Sequence, residues 1–281
     1  MRDRVAHRHP QLLGRGGLTM LKYLRLFALF VKSSILMELE YRANFIAQGT
    51  LGTLYAGISV VTVLLVFSQT DRLGGWSLDQ GLVVVGIFIA FDGLTESFIQ
   101  PNIRKLIDGI RTGTFDFTLL KPVDSQFMTM FRYMRLNGLM DFAAGVVVIV
   151  IALSRLGLPV SALQVLTFLV TLVMAALIIY ALQLMLATSA FWFVKVDNFT
   201  EAFRALYDTA RYPVSAFRGL TRLTLTVIVP IAFMTTVPAQ ALLGMLDGAL
   251  LAGSLAFGLG LTALSVALWR RALRSYSSAS S

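Results

Sequence analysis

Cysteine is absent from this chain, and histidine occurs only twice, at His7 and His9 near its start. No disulfide framework, thiolate nucleophile or cysteine metal site is available, and histidine chemistry within the body of the chain is excluded. Charge is scarce as well: 14% of the 281 residues are Asp, Glu, Lys or Arg, against roughly a quarter in soluble proteins. No G-x-x-x-x-G-K-[ST] stretch is present to cradle a nucleotide phosphate, and neither H-E-x-x-H nor G-x-S-x-G occurs. Any energy from ATP must therefore enter through a partner. The chain itself is expected to be no enzyme and to carry no metal or cofactor.

What is present is apolar, at 57% of residues, which is the composition of a membrane protein. A helical crossing needs about 20 apolar residues. Six stretches meet or approach that length, at 45–67, 81–100, 137–154, 162–193, 223–245 and 249–269. The predicted fold class is an all-α polytopic membrane protein. Its fifth stretch is broken by Pro230 and Pro238 and is not expected to cross in one piece.

Six crossings put both termini on one side. Residues 1–44, 101–136, 194–222 and 270–281 then hold 22 of the 24 Lys and Arg, and only Arg72 and Arg155 fall opposite. The positive-inside rule makes the termini and these loops cytoplasmic. That sorting accounts for the net charge of +9, so nucleic acid is not expected as a partner. Residues 20–37 (MLKYLRLFALFVKSSILM) are nearly long enough to be a seventh span, which would reverse the orientation. Leu24, Phe27, Val31 and Ile35 recur at helical spacing, with Lys22, Arg25 and Lys32 elsewhere on the turn. The spacing predicts an amphipathic helix in the headgroup plane. The chain thus divides into a basic tail at 1–19, an amphipathic helix within 20–44, and a six-span domain at 45–281 with a cytoplasmic loop at 101–136. The tail lacks an apolar run long enough for a signal-peptide core; it is expected to be disordered, or to precede a true start at Met20.

Acidic residues at membrane depth are costly, by about 2.5–3.5 kcal/mol on insertion scales. Asp92 and Glu96, one helical turn apart, are the candidates. A proton or cation relay is one reading of the pair. Neutralisation by a water-filled vestibule or by Arg132 and Arg135 is the other. Asp141, near the start of the third span, is expected to be an interfacial anchor. In the last span Ala249, Gly253, Ala256, Gly260, Ala263 and Ala267 repeat at steps of four and three. Such a stripe predicts close helix packing, with the neighbour unspecified.

The stretch from Gly109 to Asp124 (GIRTGTFDFTLLKPVD) interrupts this apolar chain. Pro101 suits the first turn of a helix, and Ile103, Leu106, Ile107 and Ile110 form one apolar face. Gly109 and Gly113 are able to end that helix, Lys121-Pro122 turns the backbone, and Asp124 or Ser125 caps the next helix. So structured a loop predicts a docking surface.

The order Gly113, Phe115, Asp116, Leu120, Pro122 in a G-x-F-D-x-x-L-L-x-P loop resembles the membrane subunits of type-two ATP-binding-cassette exporters. WFVKVDNF after the fourth span, RYPVSAF, and VIVPIAFMTTVPA in the fifth extend the resemblance over nearly the whole chain from about Met20. The resemblance implies a permease in which residues 20–44 are a connecting helix and the 101–136 loop contains a coupling helix seated in a separate ATPase subunit. It implies ATP and Mg on that ATPase, a second permease chain, identical or different, and residence in the bacterial inner membrane. Charge substitution at Leu106 or Ile107 is then expected to uncouple ATP hydrolysis from transport. An ion-coupled transporter or channel using Asp92 and Glu96, and a membrane scaffold that transports nothing, are the rival functions. The cargo is not specified.

Overall fold

A computed structural model describes residues 20–157, 159–193 and 197–276. The predicted tail at 1–19 and Val194–Val196 of the WFVKVDNF stretch lie outside them. The described residues are helical throughout, apart from turns and one short bridge between Leu73 and Trp76. Five helices are long and apolar enough to cross a membrane, with a bent helix pair as a possible sixth.

The first helices are α1 (Met20–Glu40) and α2 (Arg42–Phe67). α1 is not one of the five; it lies along the later helix α6 (Ser125–Phe131), with Tyr23 and Phe30 against Phe127 and Phe27 against Phe131. A turn then leads to α3 (Leu78–Leu94), which Ser77 starts with a capping box: its Oγ accepts from Gln80 N at 3.4 Å, and Gln80 Oε1 accepts from Ser77 N at 3.0 Å. Every residue from Gly81 to Gly93 is buried, so α3 is the central post. It continues through a wide π turn (Thr95–Ile99) into α4 (Gln100–Thr112) as one helical rod of 35 residues. α5 (Asp116–Leu119) and α6 follow, and these three elements form a module at one end of the bundle. The next helices are α7 (Gly138–Leu156) and α8 (Ala162–Ser189), the latter opened by a capping box at Ser161. The far end of the bundle holds the turns before α3 and α8, and there Arg155 pairs with Asp79 at 2.9 Å.

α3 and α7 approach more closely than any side chain permits. A Cβ on Gly145 would lie 2.6 Å from the Gly86 carbonyl, and one on Gly93 would lie 2.6 Å from Phe142 N and closer still to the Gly138 carbonyl. The paired glycines stand seven residues apart on each helix, two turns, so they stack along one seam. Gly93→Val is expected to force the helices apart and cost about 2–3 kcal/mol. The check is thermal unfolding in detergent beside Gly57→Val, whose Cβ meets nothing within 4 Å. Equal melting of the two variants would show that the seam is not under steric control.

The fifth stretch is broken at Pro230 as expected, but the chain around it runs differently from the sequence reading. Residues 194–222 were expected to form a cytoplasmic loop and 223–245 a span. Instead α9 (Asp197–Tyr207) begins at the module end, and the chain runs through Asp208–Arg211 to the far end. There Ser215 Oγ accepts from Trp76 Nε1 at 3.1 Å and donates to the Gly74 carbonyl at 2.8 Å. Next come α10 (Gly219–Leu223), extended by a π turn to Ile228, and α11 (Thr236–Leu242); the two limbs are bent by 64° around Pro230. The chain leaves α11 at the same far end, where Gly244 packs on Gln164 and Gln80 meets Met245 at 3.8 Å. Both limbs therefore start and finish on one side, as a re-entrant hairpin. Pro230 makes the break because it lacks the amide a continuous helix needs. Pro238 breaks nothing: it sits in the first turn of α11, where the amide would be unused.

The last helix, α12 (Gly248–Ser275), packs on α8 through a face containing Ser254, Gly258, Ser265, Trp269 and Ala272. That is not the predicted small-residue stripe. Ala249, Ala256, Gly260, Ala263 and Ala267 are exposed, and a Cβ on Gly253 would meet only the Phe233 ring.

Candidate functional site

Two assemblies of unusual side chains stand out, one inside the bundle and one at its module end. The inner one is ionic. Asp92 on α3 and Glu96 in the π turn lie one turn apart, and both face Arg204 of α9. Arg204 Nη1 donates to Glu96 Oε1 at 2.8 Å, and Nη2 lies 3.4 Å from both oxygens of Asp92. Arg104 reaches the other Glu96 oxygen at 3.7 Å. The expected partners Arg132 and Arg135 are placed elsewhere: Arg132 lies over the Tyr133 ring, and the Arg135 amide donates to the Ser97 carbonyl. The carboxylates are neutralised from within the chain, by Arg204 of α9. Two turns further, Arg211 Nη2 donates to Tyr55 Oη at 2.9 Å while that hydroxyl donates to Asp208 Oδ1 at 3.0 Å. The Arg211 guanidinium also sits over the rings of Tyr55 and Phe88, at 5.7 and 5.4 Å from their centroids. This chain of charges ties α9 to α2 and α3.

Asp141, expected as an interfacial anchor, is half-buried against its own chain. Its carboxylate is pressed against α2 at Gly52, where no side chain stands in the way, and it lines a small void with Asp92 and Tyr55. No group of three or more His, Cys, Asp or Glu able to hold a metal ion is found among the described residues.

The second assembly is the module. α4 ends where glycine alone fits comfortably: Gly113 has φ of 75° and caps the helix, whereas Gly109 stays inside it. Asn102 is buried in the first turn of α4; its Nδ2 donates to the Tyr133 carbonyl at 2.7 Å and its Oδ1 accepts from Tyr133 N at 2.9 Å. That side chain pins α4 to the segment after α6. Asp124 caps α6 by accepting from Phe127 N at 2.8 Å. The apolar face predicted on α4 is real, but it is used within the chain. Ile103 and Leu106, the latter 3% exposed, are buried with Leu184, Ala187 and Trp269, while Ile107 and Ile110 pack half-buried at the margin. Leu106 is thus unavailable to a partner, and a charge there disrupts the bundle before it uncouples anything.

Phe115 anchors the tip of the module. At 4% exposed it is enclosed by the rings of Phe191, Trp269 and Tyr276, each edge-on at 5.6–6.0 Å. Asp116 lies beside the Tyr276 hydroxyl, and burial together with that carboxylate pushes the phenol up to about 12. Tyr276 therefore stays neutral as a donor. Beyond this anchor the apolar side chains turn outward. Leu120 is 78% exposed, Pro122 is exposed, and so is Phe117, at 68%, which the sequence reading did not single out.

No curated protein and no solved structure matches the chain. Residues 53–280, which include both assemblies and all the long apolar helices but the start of α2, match the family described as ABC-2 family transporter protein. The apolar crossings, the absence of a nucleotide-binding loop and this match over most of the length agree, and the chain belongs to the ABC-2 transporter family.

Proposed function

We propose that this chain is the permease half of an ATP-driven exporter, pairing with a second membrane chain and driven by separate ATPase subunits that carry the ATP and Mg. The observation that carries the reading is the tip of the module: Phe117 on α5 and Leu120 at its C-cap are exposed, just beyond the anchored Phe115. An exposed aromatic beside an exposed leucine on a firmly held element suits a hot spot for a protein partner. Because Phe115 locks that element to the ends of α8 and α12, a push on the tip is delivered to the crossings.

The charge distribution supports a cytoplasmic position for the module. Residues 1–44, 101–136 and 270–281 carry 17 of the 24 Lys and Arg, whereas the far end and the hairpin hold Arg72, Arg155, Arg218 and Arg222. Both termini are then cytoplasmic, and α1 lies in the headgroup plane with the exposed Leu24 and Ile35 of its apolar face towards lipid. The membrane is the bacterial inner membrane.

Purification from its native membrane in mild detergent is the test. ATPase chains are expected to come with the protein, and ATP hydrolysis by the complex is expected to depend on it. Recovery of the protein with no nucleotide-hydrolysing partner, under conditions where it transports, would overturn the exporter reading. The number of distinct membrane chains recovered distinguishes a homodimer from a heterodimer.

A further inference from the structure

The outward flank of α1 carries cations that the rest of the described chain does not neutralise. Lys22, Arg25 and Lys32 are all exposed, and none has an ionic partner among the described residues. Steps of three and seven residues put them on one side of the helix, turned from Ser34, its one buried residue. The first turn holds no acidic residue, although a helix N-terminus is itself the positive end of the macrodipole. Glu38 and Glu40 come only at the other end of α1, and Glu38 already accepts from the Leu136 amide at 3.1 Å. Like charges one turn apart repel, so this line of cations is a cost to the chain alone.

The side chains around these charges identify the surface that relieves them. Leu21, Leu29 and Leu36 are exposed among the cations. A flank that mixes leucine with Lys and Arg suits the boundary between acyl chains and headgroups, where basic stems lie along apolar surface and their charges reach phosphates. Leu24 and Ile35 stand about a quarter turn away on the acyl side. The opposite side of α1 is fixed, because Tyr23, Phe27 and Phe30 hold the rings of Phe127 and Phe131. Beside Phe131 the pattern recurs. Lys121 and Arg132 have no ionic partner among the described residues, and burial together with the nearby Arg132 guanidinium holds the Lys121 ammonium below its usual range.

We infer that α1 docks on anionic phospholipid, with Lys22 and Arg25 at one headgroup phosphate and Lys32 at another, about 10 Å further along the helix. The inference rests on the placement of α1 in the headgroup plane and not on the exporter reading. Zwitterionic lipid is the poorer partner, because its own cation competes for the phosphate. Through the ring contacts with α6, docking on lipid phosphates holds the module to the membrane surface.

The test uses the full chain in phosphatidylcholine vesicles, without any ATPase. Because the chain has no cysteine, Leu29→Cys, exposed between Arg25 and Lys32, takes a single fluorescent donor. Dilute phosphatidylglycerol or phosphatidylcholine bearing the same acceptor on its acyl chain then reports by energy transfer which lipid collects beside α1. Each cation near an anionic surface is worth about fivefold in association, so phosphatidylglycerol is expected to be enriched about tenfold over phosphatidylcholine. High salt should abolish the difference. Replacing Lys22, Arg25 and Lys32 together by Gln should remove the enrichment. The same loss of charge at the exposed Arg72, Arg218 and Arg222 should leave it unchanged. Equal transfer to the two lipids, an enrichment that survives the α1 variant, one that is lost in the second variant, or competition by inorganic phosphate stronger than by chloride at equal ionic strength would each overturn the proposal. Transfer to neither lipid would remove α1 from the headgroup plane as well, whereas equal transfer to both leaves that placement standing.

Discussion

Phe117→Asp is expected to abolish stimulation of the partner ATPase and to stop transport, while the protein reaches the membrane in normal amounts. Phe117 touches little of its own chain, so placing a carboxylate there costs the fold almost nothing. In an interface, an exposed aromatic that fills a partner's pocket is worth about 2 kcal/mol or more, roughly a thirtyfold loss of affinity on truncation. A buried carboxylate adds its own desolvation to that loss. Leu120→Asp should behave alike, and Phe117→Leu should keep most of the activity. Leu106→Asp is the contrasting variant: it places a charge within the cluster that holds Leu184 and Trp269, so the protein itself should be lost. Membrane abundance, ATPase rate and transport measured together separate the two classes. Undiminished coupling in Phe117→Asp and Leu120→Asp would remove the module tip as the point where force enters.

Arg204→Met is expected to produce the largest loss of stability. It strands two carboxylates, one of them buried, without their principal cation. Breaking one side of such a pair costs about 3 kcal/mol. For a chain of this size that is a fall of roughly 6–12 °C in the melting temperature. Combining it with Asp92→Asn and Glu96→Gln removes the stranded charge, and replacing a whole buried ion cluster by neutral groups is commonly near neutral in stability. The triple variant should therefore melt close to the wild type. The same protein decides between exporter and ion-coupled transporter. Transport that persists in the stable triple variant leaves no role for an acidic relay; a folded triple variant that has lost transport would favour ion coupling. A single variant as stable as the wild type would show that the cluster is not what ties α9 to α3.

Local signals were legible in the sequence, and partners were not. Gly113 and Asp124 cap their helices as expected, because a cap is set by a few neighbouring residues. The face of Ile103, Leu106, Ile107 and Ile110 was evident from its period, but a period shows only that a face is buried, and this one is covered by α8 and α12 of the same chain. The segment with Arg204 and Arg211 was misplaced for a related reason. Its charges look too numerous for a crossing until they are matched with Asp92 and Glu96, over a hundred residues earlier. The sequence left the neighbour of the α12 stripe unspecified, so exposure within one chain does not count against it. The stripe on α12 has many members in register yet is mostly exposed, while the closest helix contact uses only Gly86 and Gly93 against Gly138 and Gly145. Two residues on each helix are too few to stand above the usual glycine content of membrane spans.

The continuity of α3 with α4 makes the centre of the bundle a lever. From Leu78 to Thr112 the rod is 35 residues long, about 50 Å at 1.5 Å per residue, so a tilt of about 10° at one end sweeps the other through about 9 Å. Its far end lies near the turn where Trp76 and Ser215 join the re-entrant hairpin, and its other end carries the exposed tip. A small rotation imposed on the tip therefore becomes a displacement at the opposite mouth of the bundle. The glycine seam with α7 lies between the two ends, so about it the same tilt divides into about 6 Å at the module end and about 3 Å at the far end.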